Sequence, residues 1–391
     1  MRRRQQVECS TQRAALHSDF NRSKGRHSRP VSGYGVNSSG NPGKHWIPGQ
    51  ARNDKLYKTY VVMYNFKNCF LPSAYCFSEE ESKLKKWGSY LLAWWNLSRV
   101  PFLSVGILPL ILGFILAWRW GYKGPLGLYV LSTVAVILIM WMTYYVGEWN
   151  DLEGDRINQK FNRFSGGSRV LVKEVLPARV SLLLGYGCLA GAILIGFYIY
   201  LRYQTDLRTL LLGALGIFFG FFYSSKPFRW SYHGLGEILI GFCYGWLPIA
   251  TGFFLFTGFF SPQIFLLSIP VGLSIFNVVL INEFPDEEAD RTIGKKTLVV
   301  RFGKERMGDL YMGLSILTGL YFIKMMWGFG KTPLWFPVLS AVPTLLILWN
   351  LIQVLQGNYH DTRKLERLCR NTLLVNLSMT MILTIRFTVL V

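Results

Sequence analysis

Charge is scarce in this chain. Only 16% of its 391 residues are Asp, Glu, Lys or Arg, against about a quarter in ordinary soluble proteins. The length would accommodate two or three soluble domains, but the apolar residues, 51% of the total, gather in runs too long for globular helices. Histidine and cysteine are few as well. Three of the five histidines, His17, His27 and His45, lie in the first 58 residues, so a histidine-built metal centre in the rest of the chain is not expected. The six cysteines (Cys9, Cys69, Cys76, Cys188, Cys243 and Cys369) contain no C-x-x-C pair. They read as small buried hydrophobes rather than zinc ligands or a disulfide framework. Apolar–polar alternation is missing too, and continuous runs exclude a transmembrane β-barrel.

Negative charge is the scarcer sign, 22 Asp/Glu against 42 Lys/Arg, for a formal charge of +20. Residues 1–58 alone hold twelve Lys/Arg against Glu8, Asp19 and Asp54, a net of +9. Most of the remaining positive charge sits in short loops between apolar runs, where it sets membrane topology. With no basic helix or aromatic-interleaved basic patch, nucleic acid is not an expected partner.

A spanning helix needs about 20 apolar residues, and nine runs qualify as candidates. They lie near 100–118, 126–147, 179–201, 207–223, 235–256, 263–282, 308–327, 334–355 and 370–390. The expected fold is therefore an all-α integral membrane protein with nine transmembrane helices. One set of loops carries Arg156 to Lys173, Lys226 and Arg229, Arg291 to Arg306, and Arg363 to Arg370; the other holds only scattered cations such as Arg119, Lys123 and Lys331. The positive-inside rule puts the first set, and the N-terminus, in the cytoplasm.

The few acids are not randomly placed. The second run ends in Glu148-Trp-Asn-Asp151-Leu-Glu153-Gly-Asp155-Arg156 and the sixth in Glu283-Phe-Pro-Asp286-Glu-Glu288-Ala-Asp290-Arg291. Both read Glu-aromatic-x-Asp-x-Glu-small-Asp-Arg, on the same predicted membrane side, 135 residues apart. Offsets of 0, 3 and 7 share one helical face about 60° wide, whereas Glu153 and Glu288 at offset 5 point away. Acids at a helix C-terminus oppose the macrodipole, at about 0.3–1 kcal/mol each. A loop that served only solubility or topology would not repeat that arrangement. Six converging carboxylates need a cation, and Mg²⁺ fits, since it binds one or two carboxylates plus substrate phosphates. Arg156, Lys160, Arg163 and Arg169 follow the first motif, and Arg291, Lys295 and Lys296 the second. Mixed signs suit a highly charged anion bridged by metal, with Lys and Arg on its other oxygens.

Here the sequence resembles the UbiA-type intramembrane prenyltransferase family. The family's Asn-Asp-x-x-Asp-x-x-x-Asp signature falls on Gly147, Glu148, Asp151 and Asp155, and its second signature on Asn282, Glu283, Asp286 and Asp290. Ser98-Arg99-Val-Pro101, Ser165-Gly-Gly-Ser168, Tyr223-Ser-Ser-Lys-Pro227, Gly234-Leu-Gly-Glu237 and Gly294 to Gly303 agree as well. Gly147 and Glu148 depart from the usual Asn and Asp, and the Tyr223 and Gly234 segments look closer to the dihydroxynaphthoate (menaquinone) branch. The resemblance covers about residues 90–390. It implies a ring-like helix bundle around a central cavity open to cytoplasm and lipid, in the bacterial inner membrane. It implies Mg²⁺ held by Glu148, Asp151, Asp155, Glu283, Asp286 and Asp290, with Asp151, Asp155, Asp286 and Asp290 catalytic. The substrates implied are a polyprenyl diphosphate, met by Arg156, Lys160, Lys226, Arg291 and Lys295, and an aromatic or lipid acceptor. Arg99, Tyr145, Tyr223 and Asn282 would form the cation and acceptor pocket, with Tyr144, Phe222 and Phe276 as further ring faces.

The acceptor stays open at this level: dihydroxynaphthoate, hydroxybenzoate, homogentisate or a lipid alcohol. A secondary transporter also has repeats and membrane acids, but near the midplane rather than at helix ends. A CDP-alcohol phosphotransferase would need an Asp-Gly…Ala-Arg motif that is missing here. Residues 1–62 read as a disordered basic tail with no apolar signal-peptide core. Residues 27–54 resemble translated bacterial intergenic repeat, which implies a native start nearer Met63. Residues 63–98 are then an amphipathic segment leading into the membrane, with Lys83, Lys85 and Lys86 before Trp94 and Trp95, and 99–391 the nine-helix domain.

Overall fold

Apolar runs with internal glycine and proline and no strand periodicity become helices throughout. The computed structural model describes residues 88–327 and 335–389. The expected tail, the Met63 start and most of the 63–98 segment lie outside the described residues. Helix α1 (88–97) is followed by a break in which Arg99 takes a left-handed conformation (φ 45°) just ahead of Pro101. Then come α2 (Ser104–Arg119), α3 (Leu126–Asn150), the short α4 (Leu152–Ile157), α5 (Ala178–Tyr203) and α6 (Leu207–Phe221). The second half comprises α7 (Gly236–Thr257), α8 (Pro262–Asn282), the short α9 (Glu287–Thr292), α10 (Leu298–Trp327), α11 (Trp335–Leu355) and α12 (Thr362–Val389).

Among the described residues, seven helices are long and apolar enough to cross a membrane, which makes this a multi-pass membrane protein. All nine expected runs form helices, but two fall short of that standard. At 15 residues and about 1.5 Å per residue, α6 spans only about 22 Å of a hydrocarbon core about 30 Å thick. In α10 the uncharged stretch between Asp309 and Lys324 is shorter than a spanning length, and Gly303 kinks the helix before it.

Close packing organises the bundle. Helix α3 runs along α5, α2 along α7, and α8 against α10 and α12. A Cβ at Gly252 of α7 would stand 2.5 Å from the Leu110 carbonyl of α2, and one at Gly245 would stand 2.5 Å from Cα of Gly272 in α8. These backbones touch, as small residues permit between membrane helices. Buried residues fill 61% of the most apolar window of α8 but only 17% of that of α5, so α8 is central and α5 peripheral. The main core joins Leu112, Ile249, Phe253, Val271, Phe322, Phe336 and Met379. Both acidic motifs lie where a long helix ends and a short one begins: α3 into α4, α8 into α9.

Candidate active site

Each motif leaves its long helix without losing helical direction. Asp151 (φ −93°, ψ 0°) and Asp286 (φ −87°, ψ −10°) are the joints, so offsets 0, 3 and 7 still share a side. Short helices α4 and α9 contact one another. As a result Glu148, Asp151, Asp155, Glu283, Asp286 and Asp290 all line one cavity, with about 1340 Å³ of space including its open mouth. Glu153 and Glu288 are exposed, as their offset predicts.

The six carboxylates have different surroundings. Glu148 is almost fully buried; its Oε1 accepts from Arg99 Nη2 (2.7 Å) and the Ser168 amide (2.7 Å), and its Oε2 from Ser168 Oγ (2.7 Å). Tyr232 donates its hydroxyl to Asp151 Oδ1 (3.2 Å). Asp286 accepts from Asn158 Nδ2 (2.6 Å) and the Gly166 amide (3.4 Å). Lys295 Nζ stands 3.4 Å from Asp290 Oδ1. The Asp155 carboxylate lies against Gly167 (φ 68°), where any Cβ would collide with it. Glu283 neighbours Glu237, a fully buried acid whose Oε1 accepts the Leu298 amide (2.8 Å).

Burial sets the protonation of this cluster. It pushes the Asp155 carboxyl up to about 8, helped by Asp151 and Glu148, and Asp286 up to about 7, helped by Asp290. Burial also raises Asp290, and burial with the adjacent Glu237 raises Glu283 well above the carboxylate range. For Lys295, burial favours the neutral amine, but Asp151 and Asp290 outweigh it and keep the ammonium. Glu283 Oε2 and Asp290 Oδ2 are buried with no hydrogen-bond donor. Such orphaned carboxylate oxygens fit a divalent cation. No three His, Cys, Asp or Glu side chains among the described residues form a ready cage, so a metal there would complete its shell from a bound anion and water.

The flanking cations separate sharply. Lys295 lines the cavity; Arg156, Lys160, Lys226 and Arg291 do not. Arg156 is exposed near Glu174 (3.7 Å), Lys160 pairs with Glu288, and Arg291 pairs with Glu287 (2.7 Å). Lys226 is exposed. These four therefore stand outside the expected diphosphate pocket: Arg156 and Arg291 each follow an inward Asp by one residue, about 100° round a helix. Of the expected acceptor pocket, Arg99, Tyr223 and Asn282 line the cavity. Tyr145 does not; it packs with Leu97, Val170 and Leu171 and shares a hydrogen bond with Ser98 (2.8 Å), because its neighbour Tyr144 takes the inward position. Phe222 stacks edge-on with Phe218 and Phe228, and Phe276 packs in the core around Leu280 and Phe284.

Asn158, Tyr232 and Tyr244 are not singled out by the sequence, and Glu237 enters only as the end of the Gly234-Leu-Gly-Glu237 motif, with no site role. Glu237 carried a signal: it is the lone acid at the start of an apolar run, where an ionisable group marks function. Beyond the acidic cavity lies an apolar one, with about 700 Å³ of space, walled by Val136, Ile139, Met140, Leu212, Gly213 and Phe219 among others. Thr143, Tyr223, Ile240 and Tyr244 line both cavities, so the acidic cavity and an apolar chamber adjoin across two tyrosine side chains.

Residues 106–373 match the UbiA prenyltransferase family. The chain is 25% identical over 249 residues to the 1,4-dihydroxy-2-naphthoate octaprenyltransferase of Bacillus subtilis, covering 64% of this chain and 78% of that protein. It is also 25% identical over 294 residues to the Escherichia coli enzyme of the same description, covering 73% and 92%. Among solved structures, the fold matches a UbiA homolog from Aeropyrum pernix K1 (TM-score 0.55, 17% identity, 71% of this chain and 94% of that one). It also matches a UbiA homolog from Archaeoglobus fulgidus bound to GPP and Mg²⁺ (TM-score 0.50, 17% identity, 74% and 99%). The chain is a prenyltransferase and belongs to the UbiA family.

Proposed function

We propose that this prenyltransferase moves a polyprenyl group from a polyprenyl diphosphate to an aromatic acceptor of the dihydroxynaphthoate class, in isoprenoid quinone synthesis. One observation carries the reading: six carboxylates and Lys295 wall a cavity that adjoins an apolar chamber, with Thr143, Tyr223, Ile240 and Tyr244 lining both. A prenyl diphosphate has that same division, a charged head on an apolar tail. The relatives named for naphthoate prenylation support the acceptor class.

Asp151, Asp155, Glu283, Asp286 and Asp290 are the residues that would hold Mg²⁺ against the diphosphate. When bound, the metal offsets negative charge on the departing pyrophosphate. Glu148 is committed to Arg99 and Ser168 and acts by anchoring Arg99 at the cavity wall. Lys295 meets the diphosphate oxygens directly. As the allylic C–O bond breaks, pyrophosphate leaves with the electron pair, and the ring faces of Tyr144, Tyr223 and Tyr244 stabilise the allylic cation. The acceptor ring supplies the pair for the new bond and then loses a proton. The tail lies in the apolar chamber among Gly213, Gly216 and Phe219. The clustering of Lys and Arg in the loops on this side supports a site at the cytoplasmic face of the bacterial inner membrane.

The test is incubation of membranes containing the protein with a labelled polyprenyl diphosphate, Mg²⁺ and separate aromatic and lipid-alcohol acceptors. Prenylated dihydroxynaphthoate with pyrophosphate release is expected. Transfer only to hydroxybenzoate, homogentisate or a lipid alcohol would reassign the acceptor.

A further inference from the structure

Lys295 sits on the short non-helical segment between α9 and α10, its amide donating to the Asp290 carbonyl (2.8 Å). Its ammonium reaches the Asp290 carboxylate (3.4 Å) and stands 5.7 Å from the ring centre of Tyr232, whose hydroxyl holds Asp151. The turn at residues 229–237, which leads into α7, grips that segment just past the lysine. The Lys296 amide donates to the Tyr232 carbonyl (3.0 Å), Arg301 Nη2 to the His233 carbonyl (2.8 Å), and the Leu298 amide to Glu237 Oε1 (2.8 Å). Arg301 Nε closes the loop on the Lys296 carbonyl (2.9 Å). The fit is tight enough to require glycine at 234. That residue has φ 66°, and a Cβ there would stand 3.1 Å from the Lys296 carbonyl.

Glu237 is the anchor of this grip. It is fully buried at the start of α7 and accepts one of the otherwise orphaned N-terminal amides of α10. We propose that Glu237 is the positioning residue for Lys295: through the Leu298 amide and the adjoining turn it fixes the segment that aims the ammonium at the diphosphate. The proposal rests on the reading of Lys295 as a diphosphate ligand. Removing the carboxylate frees the first turn of α10 and the lysine ahead of it. Glutamine keeps an acceptor for the Leu298 amide and presents an amide donor toward Glu283.

The experiment is calorimetric binding of Mg²⁺–pyrophosphate to the full chain in lipid nanodiscs, with steady-state prenyl transfer measured alongside. Lys295→Ala is expected to weaken pyrophosphate binding about tenfold or more, since it removes a charge-assisted contact. Glu237→Ala should weaken it about fivefold and Glu237→Gln less than about threefold, with KM for the prenyl diphosphate shifting more than kcat. The double variant Glu237→Ala/Lys295→Ala should bind no worse than Lys295→Ala, the non-additivity of residues acting as one unit. A Glu237→Ala protein with unaltered binding, a glutamine variant as poor as alanine, or fully additive losses would overturn the proposal. Unaltered protein that binds pyrophosphate in this pattern but transfers no prenyl group would leave the positioning role standing and sink the functional reading instead.

Discussion

Asn158 donates from Nδ2 to Oδ1 of Asp286 at 2.6 Å, joining the segment after the first motif to the heart of the second. The two motifs come from separate halves of the chain, so this bond reports whether the halves are docked as the site requires. Asn158→Ala removes the donor and leaves Asp286 with one fewer partner in an acidic surround. Prenyl transfer should fall about tenfold, the value of one hydrogen bond to a charged group. Asn158→Asp, which adds a like charge, should fall further. Initial rates at saturating Mg²⁺ compare the two.

Arg99 and Glu148 are coupled in the same way within the first half. Glu148 is nearly inaccessible and Arg99 is its charged partner at 2.7 Å. Arg99→Ala leaves a buried carboxylate with only Ser168, and Glu148→Ala leaves the guanidinium unanchored. A double-mutant cycle on stability in detergent should show a coupling of about 1–3 kcal/mol. Strict additivity would separate the two residues.

The apolar chamber makes a prediction about chain length. A Cβ at Gly213 would meet nothing within 4 Å, and the residue faces the chamber. Gly213→Phe therefore fills space that the outer part of the tail would occupy, without straining the backbone. Turnover of a ten-carbon prenyl diphosphate should stay within about threefold, while that of a forty-carbon one drops about a hundredfold, as expected for overpacking a formed pocket. Chromatography of products across a prenyl series reads the cut-off.

Burial lifts Asp155 to about 8 and Asp286 to about 7. Each is protonated below its own value, and a metal binds the ionised carboxylate, so protons and Mg²⁺ compete. The Mg²⁺ concentration for half-maximal rate should rise as pH falls from about 8 to 6, by up to about tenfold per pH unit for each proton displaced. Titrating Mg²⁺ at several pH values checks the sign; a flat or falling requirement contradicts it.

The acidic core of the site was legible because two independent stretches repeat Glu-x-x-Asp-x-x-x-Asp at the ends of apolar helices, and periodicity alone separates them from Glu153 and Glu288. The basic residues were not. Arg156, Lys160, Arg291 and Lys295 flank the acids alike in sequence, and only folding turns Lys295 inward while the others meet Glu174, Glu288 and Glu287. The choice between Tyr144 and Tyr145 is likewise a matter of about 100° of helix rotation, fixed by packing of α3 on α5. Glu148 reads like its counterpart Glu283, and only the fold shows its contacts with Ser168 and Arg99, which are distant in sequence. Among the described residues seven of the nine apolar runs form helices long and apolar enough to cross a membrane; α6 is short and charges bracket α10, features that run length alone does not separate.

The central claim is that the two motifs together form one metal–diphosphate site. Asp151→Asn and Asp286→Asn, each purified folded and assayed for pyrophosphate release with Mg²⁺ and a polyprenyl diphosphate, test it most directly. Each substitution should lower turnover about a thousandfold or more, the scale of losing an electrostatic group at a developing charge, with the melting temperature retained. Near-normal turnover in either variant would contradict the account.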